Sequence, residues 1–207
     1  MHKHDFKGKN SIDDMLNACA TIMGFIGMLR PHTFLQLEVN SLQLVKIDRG
    51  IVKAVDVAGY LASHAECNIL GFFFEFKSKT MPHARAYFPN LSAPRSHYSA
   101  MCPVRALQCL AMSGLLIDKW FTKMTAGARL RKFLQGLTDS KNPVPLYTLR
   151  IGGRSWNISQ GLDRQFVDYL GTWKSPEASA RYYRDAPASV LRKLQKFYEG
   201  LPDPQTL

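Results

Sequence analysis

Residues 147–184 read YTLRIGGRSWNISQGLDRQFVDYLGTWKSPEASARYYR, and the way this stretch divides into helices decides how the rest of the chain is read. Before it, Asn142-Pro-Val-Pro145 is a loop, because two prolines remove backbone donors and fix φ. A helix is predicted from Thr148 to about Gln160, stopped by Gly161, which suits the left-handed backbone that ends many helices. A second runs from about Asp163 to Leu170. After Gly171-Thr-Trp-Lys-Ser-Pro176, a third carries Tyr182 and Tyr183. Arginine, tyrosine and tryptophan thus recur on short helices and the turns between them.

Outward from this stretch, more helices come at both ends. Ser189 to Glu199 forms one, with Gly200 and Pro202 ending it. Cys102-Pro103 opens a helix to about Met112, and residues 119–135 form another, with Lys119, Lys123, Arg129, Arg131 and Lys132 on its polar side. At the front, Ser11 caps a helix with Asp13 and Asp14 in its first turn. Its apolar stripe is Met15, Leu16, Cys19, Ile22, Met23 and Ile26. Pro31 starts a second helix that continues to Leu37.

Between Leu42 and Phe76 the pattern changes to strands. Leu44-Val-Lys-Ile47, Ile51-Val-Lys-Ala-Val55 and Gly71-Phe-Phe-Phe-Glu-Phe76 are short β-branched and aromatic runs. With Ala84 to Phe88 they form a small sheet with a hairpin tip near Lys79 to His83. The fold class is α+β, mainly α-helical, with a small antiparallel sheet inserted in the N-terminal third. The expected organisation is a disordered segment over 1–11, one domain over 12–199, and a tail over 200–207.

Composition bounds the function. The 207 residues are 46% hydrophobic, enough for one sizeable core. A formal charge of +11 favours a polyanionic partner, with nucleic acid ahead of an anionic membrane surface. Cys19, Cys67, Cys102 and Cys109 are scattered without zinc spacing and are read as free thiols in a reducing, nuclear or cytoplasmic compartment. The longest apolar runs, Ile22 to Leu29 and Ile69 to Phe74, are too short to span a bilayer, so no membrane association is expected. His64 with Cys67, and His83 with His97, make no complete metal set, so neither metal nor cofactor is expected.

Transfer of a phosphodiester needs a nucleophile, charge on the non-bridging oxygens, and an acid for the leaving oxygen. Arginine suits the oxygens because its planar fork holds phosphate bidentately. A tyrosine serves as nucleophile where nearby cations lower the cost of its phenolate. The chain carries such a set in order. Tyr147-Thr-Leu-Arg150 resembles the His/Tyr-x-x-Arg box of tyrosine recombinases, the phage-integrase family. Leu170-Gly-Thr-Trp173-Lys-Ser175 resembles the box that holds a His or Trp, and Tyr182 follows Trp173 by nine residues, where the family has its nucleophile. Gly27-Met-Leu-Arg30 resembles the first arginine box, and Lys77-Ser-Lys79-Thr80 the hairpin with the catalytic lysine. Cys102-Pro-Val-Arg-Ala-Leu107 resembles a helix start of the Crypton- and DIRS-type mobile-element branch. The resemblance spans residues 12–199.

That resemblance implies a tyrosine-recombinase catalytic domain, which breaks and rejoins double-stranded DNA through a covalent 3′-phosphotyrosine without ATP. Arg30 and Arg150 would grip the scissile phosphate, Lys79 would protonate the leaving 5′ oxygen, and Tyr147 would stand where many members have histidine. Trp173 would donate its indole N–H to a phosphate oxygen. Tyr182 would attack. Lys77, Arg129, Arg131, Lys132, Arg154, Lys174 and Arg181, with Arg184, Arg192 and Lys193, would face DNA, and protomers would assemble into a homo-oligomer on it. Val190, Leu191, Leu194 and Phe197 form either a docking face for a neighbouring subunit or a face packed on their own domain.

Ordinary readings stand beside these. Arg30 also suits a solvated helix end, Lys77 competes with Lys79, and Tyr147 and Trp173 also suit a core. Tyr183 is the alternative nucleophile, turned by roughly 100° from Tyr182 on a helix. Gly152-Gly153 follows no strand and is read as a place of close helix packing rather than a phosphate loop. Three departures from the family pattern stand out, and two of them, Thr33 and the missing clamp, favour the alternative of a catalytically inactive, DNA-binding remnant of a mobile element. Thr33 stands where many members have an acid, one extra residue lies between Trp173 and Tyr182 relative to the mobile-element branch, and the DNA-clamping domain that usually precedes the catalytic one has no counterpart before residue 12. A shortened gene, a fragment, or a clamp supplied by another chain would each account for that last departure.

Overall fold

The computed structural model describes residues 11–35, 38–48, 51–52, 57–63, 68–77, 83–92, 99–114, 123–173 and 186–202. Its helices are α1 (Ser11–Ile26), α2 (Pro31–Phe34), α3 (Val57–Ser63), α4 (Pro103–Met112), α5 (Lys123–Gly136), α6 (Tyr147–Ser159), α7 (Arg164–Leu170) and α8 (Pro187–Glu199). The strands are β1 (Leu42–Lys46), β2 (Ile51–Val52), β3 (Ile69–Phe76) and β4 (Ala84–Pro89). The class is mixed α+β, mostly helical, with one small antiparallel sheet in the order β2-β1-β3-β4. Register is set by pairs such as Leu44 with Phe72 and Phe72 with Phe88.

Local chemistry explains the boundaries. Asp13 and Asp14 sit in the first turn of α1, where the exposed amides favour acids. Proline occupies the first turns of α2, α4 and α8, where its missing N–H costs nothing. The Asp163 carboxylate caps α7 by accepting from the Phe166 amide at 2.8 Å. In β3 residues of both faces are buried, so Phe72, Phe73 and Phe74 lie at the centre of a single core. Phe72 stacks on Phe88 with centroids 4.7 Å apart.

The stretch from Leu42 to Phe76, where only short strand runs were read, also contains a helix, α3, which lies against α4 and buries Val57 and Leu61. Those residues are four apart, so one helical face reaches the core and packing overrides local strand preference. The apolar face of α8 is also settled. Val190, Leu191 and Leu194 are buried in the chain's own core, and α8 lies against β3 and β4. Of its two readings, packing on its own domain is the one seen for these three residues, and Phe197 is partly buried beside them. Leu201, in the expected tail, is buried in the same core. The expected helix over 119–135 begins, among described residues, at Lys123. Tyr182, Tyr183 and the hairpin tip at 79–82 lie outside the described residues. No helix among the described residues is long and apolar enough to cross a membrane.

Cys19 and Cys102 are buried thiols and Cys109 is exposed. Burial pushes the Cys19 thiol up from 9.0 to about 12, with nearby Cys109 adding to it. The unfolded chain therefore gives up this proton first. The stabilisation is complete below pH 9 and is lost as pH rises from 9 towards 12. At about pH 10.5 the expected loss is roughly 2 kcal/mol, at 1.36 kcal/mol per pH unit. Denaturant midpoints of the wild type and Cys19→Ala, taken at about pH 8 and pH 10.5, check this. The wild type should lose more stability than the variant, and equal losses would refute the assignment.

Candidate active site

The site forms where the ends of three helices meet. α1 ends at Gly27, where a β-carbon would lie 2.7 Å from the Phe88 ring. Met28 then takes a left-handed backbone, φ 49°, and is buried. This turn aims the Met28 carbonyl at α6, where it accepts a hydrogen bond from Nη1 of Arg150. Two residues later Arg30 precedes α2 with an extended backbone, φ −68° and ψ 144°, set by the proline that follows it. Arg30 lies close enough for its charge to disfavour that of Arg150.

Arg150 is in the first turn of α6 and is only 1% exposed. Burial lowers its pKa; the neighbouring Tyr147 hydroxyl opposes the shift, and the charges of Arg30 and Arg154 add to it. Tyr147, one turn before Arg150 on the helix, is 45% exposed and forms the rim. The helix reaches α1 because Gly153 carries no side chain. A β-carbon there would collide with the Phe25 carbonyl and lie 3.2 Å from Met28 Cγ. The expectation of close packing at Gly152-Gly153 is met, and Gly153 is the residue that requires it.

α7 ends in a turn that returns Trp173 to this cluster. The Trp173 amide donates to the Asp168 carbonyl at 2.9 Å and the Thr172 amide to that of Tyr169 at 3.0 Å. α6 ends with the same pair of bonds, but there glycine takes the left-handed position: Gly161 has φ 91°. At the end of α7 it is Thr172, with φ 52°. A β-branched residue in that region costs about 1–2 kcal/mol. Both non-glycine residues with positive φ among the described ones, Met28 and Thr172, therefore flank Arg150, one on each side of its partners. Gly171 leaves room for the indole, because a β-carbon there would collide with the Trp173 ring.

The Trp173 ring lies 3.7 Å from the guanidinium carbon of Arg150 and 5.3 Å from that of Arg154. Trp173 was expected to act through its indole N–H; its ring face proves to be a platform for guanidinium groups. Arg154 was expected to face DNA. Its Nε and Nη2 bind Oδ1 of Asp168 at 2.9 and 2.8 Å, and its side chain is a quarter exposed. Sequence reasoning missed Asp168, because the pair joins two helices across a turn. Arg129 pairs with Asp13 at 2.8 Å, whereas Arg131, Lys132 and Lys77 are exposed.

Arg30, Tyr147, Arg150 and Trp173 thus come together, and Lys79, Tyr182, Lys174 and Arg181 lie outside the described residues. One donor is uncommitted: Arg150 Nε is buried and has no hydrogen-bond partner among the described residues. A buried unpaired donor costs about 1–3 kcal/mol, and an anion would satisfy it. Among the described residues no group of three His, Cys, Asp or Glu stands close enough to hold a metal ion. The chemistry available is the capture and charge stabilisation of an oxyanion. Comparison with protein-family models, with curated proteins and with solved structures finds no match to the chain.

Proposed function

We propose that this chain is the catalytic domain of a tyrosine-recombinase-like DNA strand transferase. The observation that carries the reading is the convergence of Arg30, Tyr147, Arg150 and Trp173, drawn from three separate boxes of sequence, around one unsatisfied guanidinium donor. A charge of +11 and the exposed Arg131, Lys132 and Lys77 support a DNA partner. In the proposed reaction the Tyr182 oxygen bonds to phosphorus as the bond to the 5′ oxygen breaks. Lys79 gives the proton to that oxygen, and Arg30 and Arg150 hold the non-bridging oxygens. A 5′ hydroxyl then attacks the phosphotyrosine, returning a proton to Lys79, and restores the diester as the bond from phosphorus to the Tyr182 oxygen breaks and frees the tyrosine. Copies of the chain assemble on the DNA.

The test is a nicked duplex whose cleaved end cannot religate, so that the adduct accumulates. A denaturant-resistant protein–DNA species is expected, and mass spectrometry of its peptides should place the nucleotide on Tyr182. Modification of Tyr183 would shift the nucleophile by one residue and overturn that assignment. Salt-dependent binding with no adduct on any nicked substrate would support the inactive remnant instead.

A further inference from the structure

Asp168 and Arg154 play no part in the reaction proposed above, yet they sit against the residue at its centre. Arg154 gives both its Nε and its Nη2 to a single oxygen of Asp168, at 2.9 and 2.8 Å. Both side chains are largely shielded from water, so the pair is screened little by salt. The far side of this pair is the Trp173 ring, 5.3 Å from the Arg154 guanidinium carbon. The ring in turn lies 3.7 Å from Arg150. The Asp168 backbone holds the same tryptophan through the Trp173 amide, at 2.9 Å. One residue therefore fixes Trp173 twice, by its carbonyl directly and by its carboxylate through Arg154.

The arrangement has a cost. Two guanidiniums gather at one ring, and the turn that delivers the ring places a threonine in a left-handed backbone. Without Asp168 the Arg154 charge would stand uncompensated beside Arg150. With it, the ring is held over the Arg150 guanidinium, 3.7 Å from its central carbon. A ring on the face leaves the in-plane donors unobstructed, and the in-plane Nε is the one left unpartnered.

We propose that Asp168, Arg154 and Trp173 form a positioning latch that fixes the plane of the Arg150 guanidinium so that its Nε edge receives a phosphate oxygen. The latch rests on the strand-transferase reading only for the identity of the phosphate; phosphate capture itself does not require DNA cleavage. Asp168 and Arg154 are positioning residues that act through Trp173.

The test uses the full chain labelled with 5-fluorotryptophan and titrated with inorganic phosphate. The Trp173 fluorine resonance is assigned by its absence in Trp173→Phe. In the wild type, phosphate is expected to shift that resonance saturably. In Asp168→Asn the resonance should broaden and the apparent phosphate affinity should fall by about tenfold, as expected for a displaced charge-assisted donor. Asp168→Glu, which keeps the carboxylate, should recover most of that affinity. A merely structural ion pair would lower the melting temperature and leave both the Trp173 resonance and phosphate affinity unchanged; that result overturns the latch. A wild-type Trp173 resonance that ignores phosphate also overturns it. Absence of a DNA adduct, with the phosphate response intact, would overturn the strand-transferase reading and leave the latch standing.

Discussion

Arg150→Lys is expected to slow covalent-adduct formation by at least about 10²-fold, the usual cost of removing one positioned donor from a developing oxyanion. Lysine keeps the positive charge, so the loss isolates geometry. The guanidinium has donors pointing in several fixed in-plane directions, and the structure uses them separately. Nη1 holds the Met28 carbonyl, the face lies against Trp173, and Nε is left for a ligand. An ammonium is a compact point charge with no flat face and no fork, and cannot meet all three demands. It would also leave the buried Met28 carbonyl poorly satisfied, at roughly 1–3 kcal/mol. The variant should therefore melt lower as well, by about 2–4 °C per kcal/mol for a chain of this size. Adduct formation by Arg150→Lys at a rate near that of the wild type, on the nicked substrate, would remove Arg150 from the site.

The elements legible in the sequence were those decided by a residue or two. Pro31, Pro103, Gly161 and Asp163 mark helix ends through local sterics or a single hydrogen bond, and the structure places ends there. The aromatic run at 71–76 has no helical solution as good as a central strand. α3 was hidden for the opposite reason. Val57-Ala-Gly-Tyr-Leu-Ala-Ser63 has a glycine in its middle and β-formers on either side, and only its contact with α4 decides the matter. The spacing of Val57 and Leu61 was the available signal. An amphipathic pattern like that of α8 says that a face is covered without saying by which chain.

In the site, residue types were legible and their partners were not. Motif order picked out Arg30, Tyr147, Arg150 and Trp173, which the fold brings together. The burial of Arg150 could not be read, because it depends on how closely α6 approaches α1. The role of the Trp173 ring depends on Thr172 adopting a backbone that sequence rules reserve for glycine. Asp168 offered no motif at all, since its value lies in the angle between α6 and α7. Such non-local features cluster where the chain departs from local preference, and here they cluster around Arg150.

Two adjacent glycines should respond to alanine in opposite directions. At Gly153 the added methyl would meet the Phe25 backbone carbonyl, with Met28 Cγ 3.2 Å away. A backbone atom cannot rotate aside as a side chain does, so α6 must retreat from α1 along the crossing that also seats Arg150 against Met28. Overpacking of this kind costs about 1–3 kcal/mol, and the rigid partner argues for the upper end. Gly153→Ala should therefore melt roughly 6–12 °C below the wild type, at 2–4 °C per kcal/mol. Its phosphate response at Trp173 should weaken too, because the Met28 carbonyl that anchors Nη1 moves with α1. At Gly152 the nearest atom to the new methyl is Phe25 Cε2 at 3.6 Å, an ordinary contact. There alanine gains up to about 1 kcal/mol of helix propensity and should leave the protein as stable or more so. Calorimetric or circular-dichroism melts of the two variants decide the question. If Gly153→Ala melts with the wild type, the helices do not cross as closely as described, and the path that delivers Arg150 to the site is wrong with them.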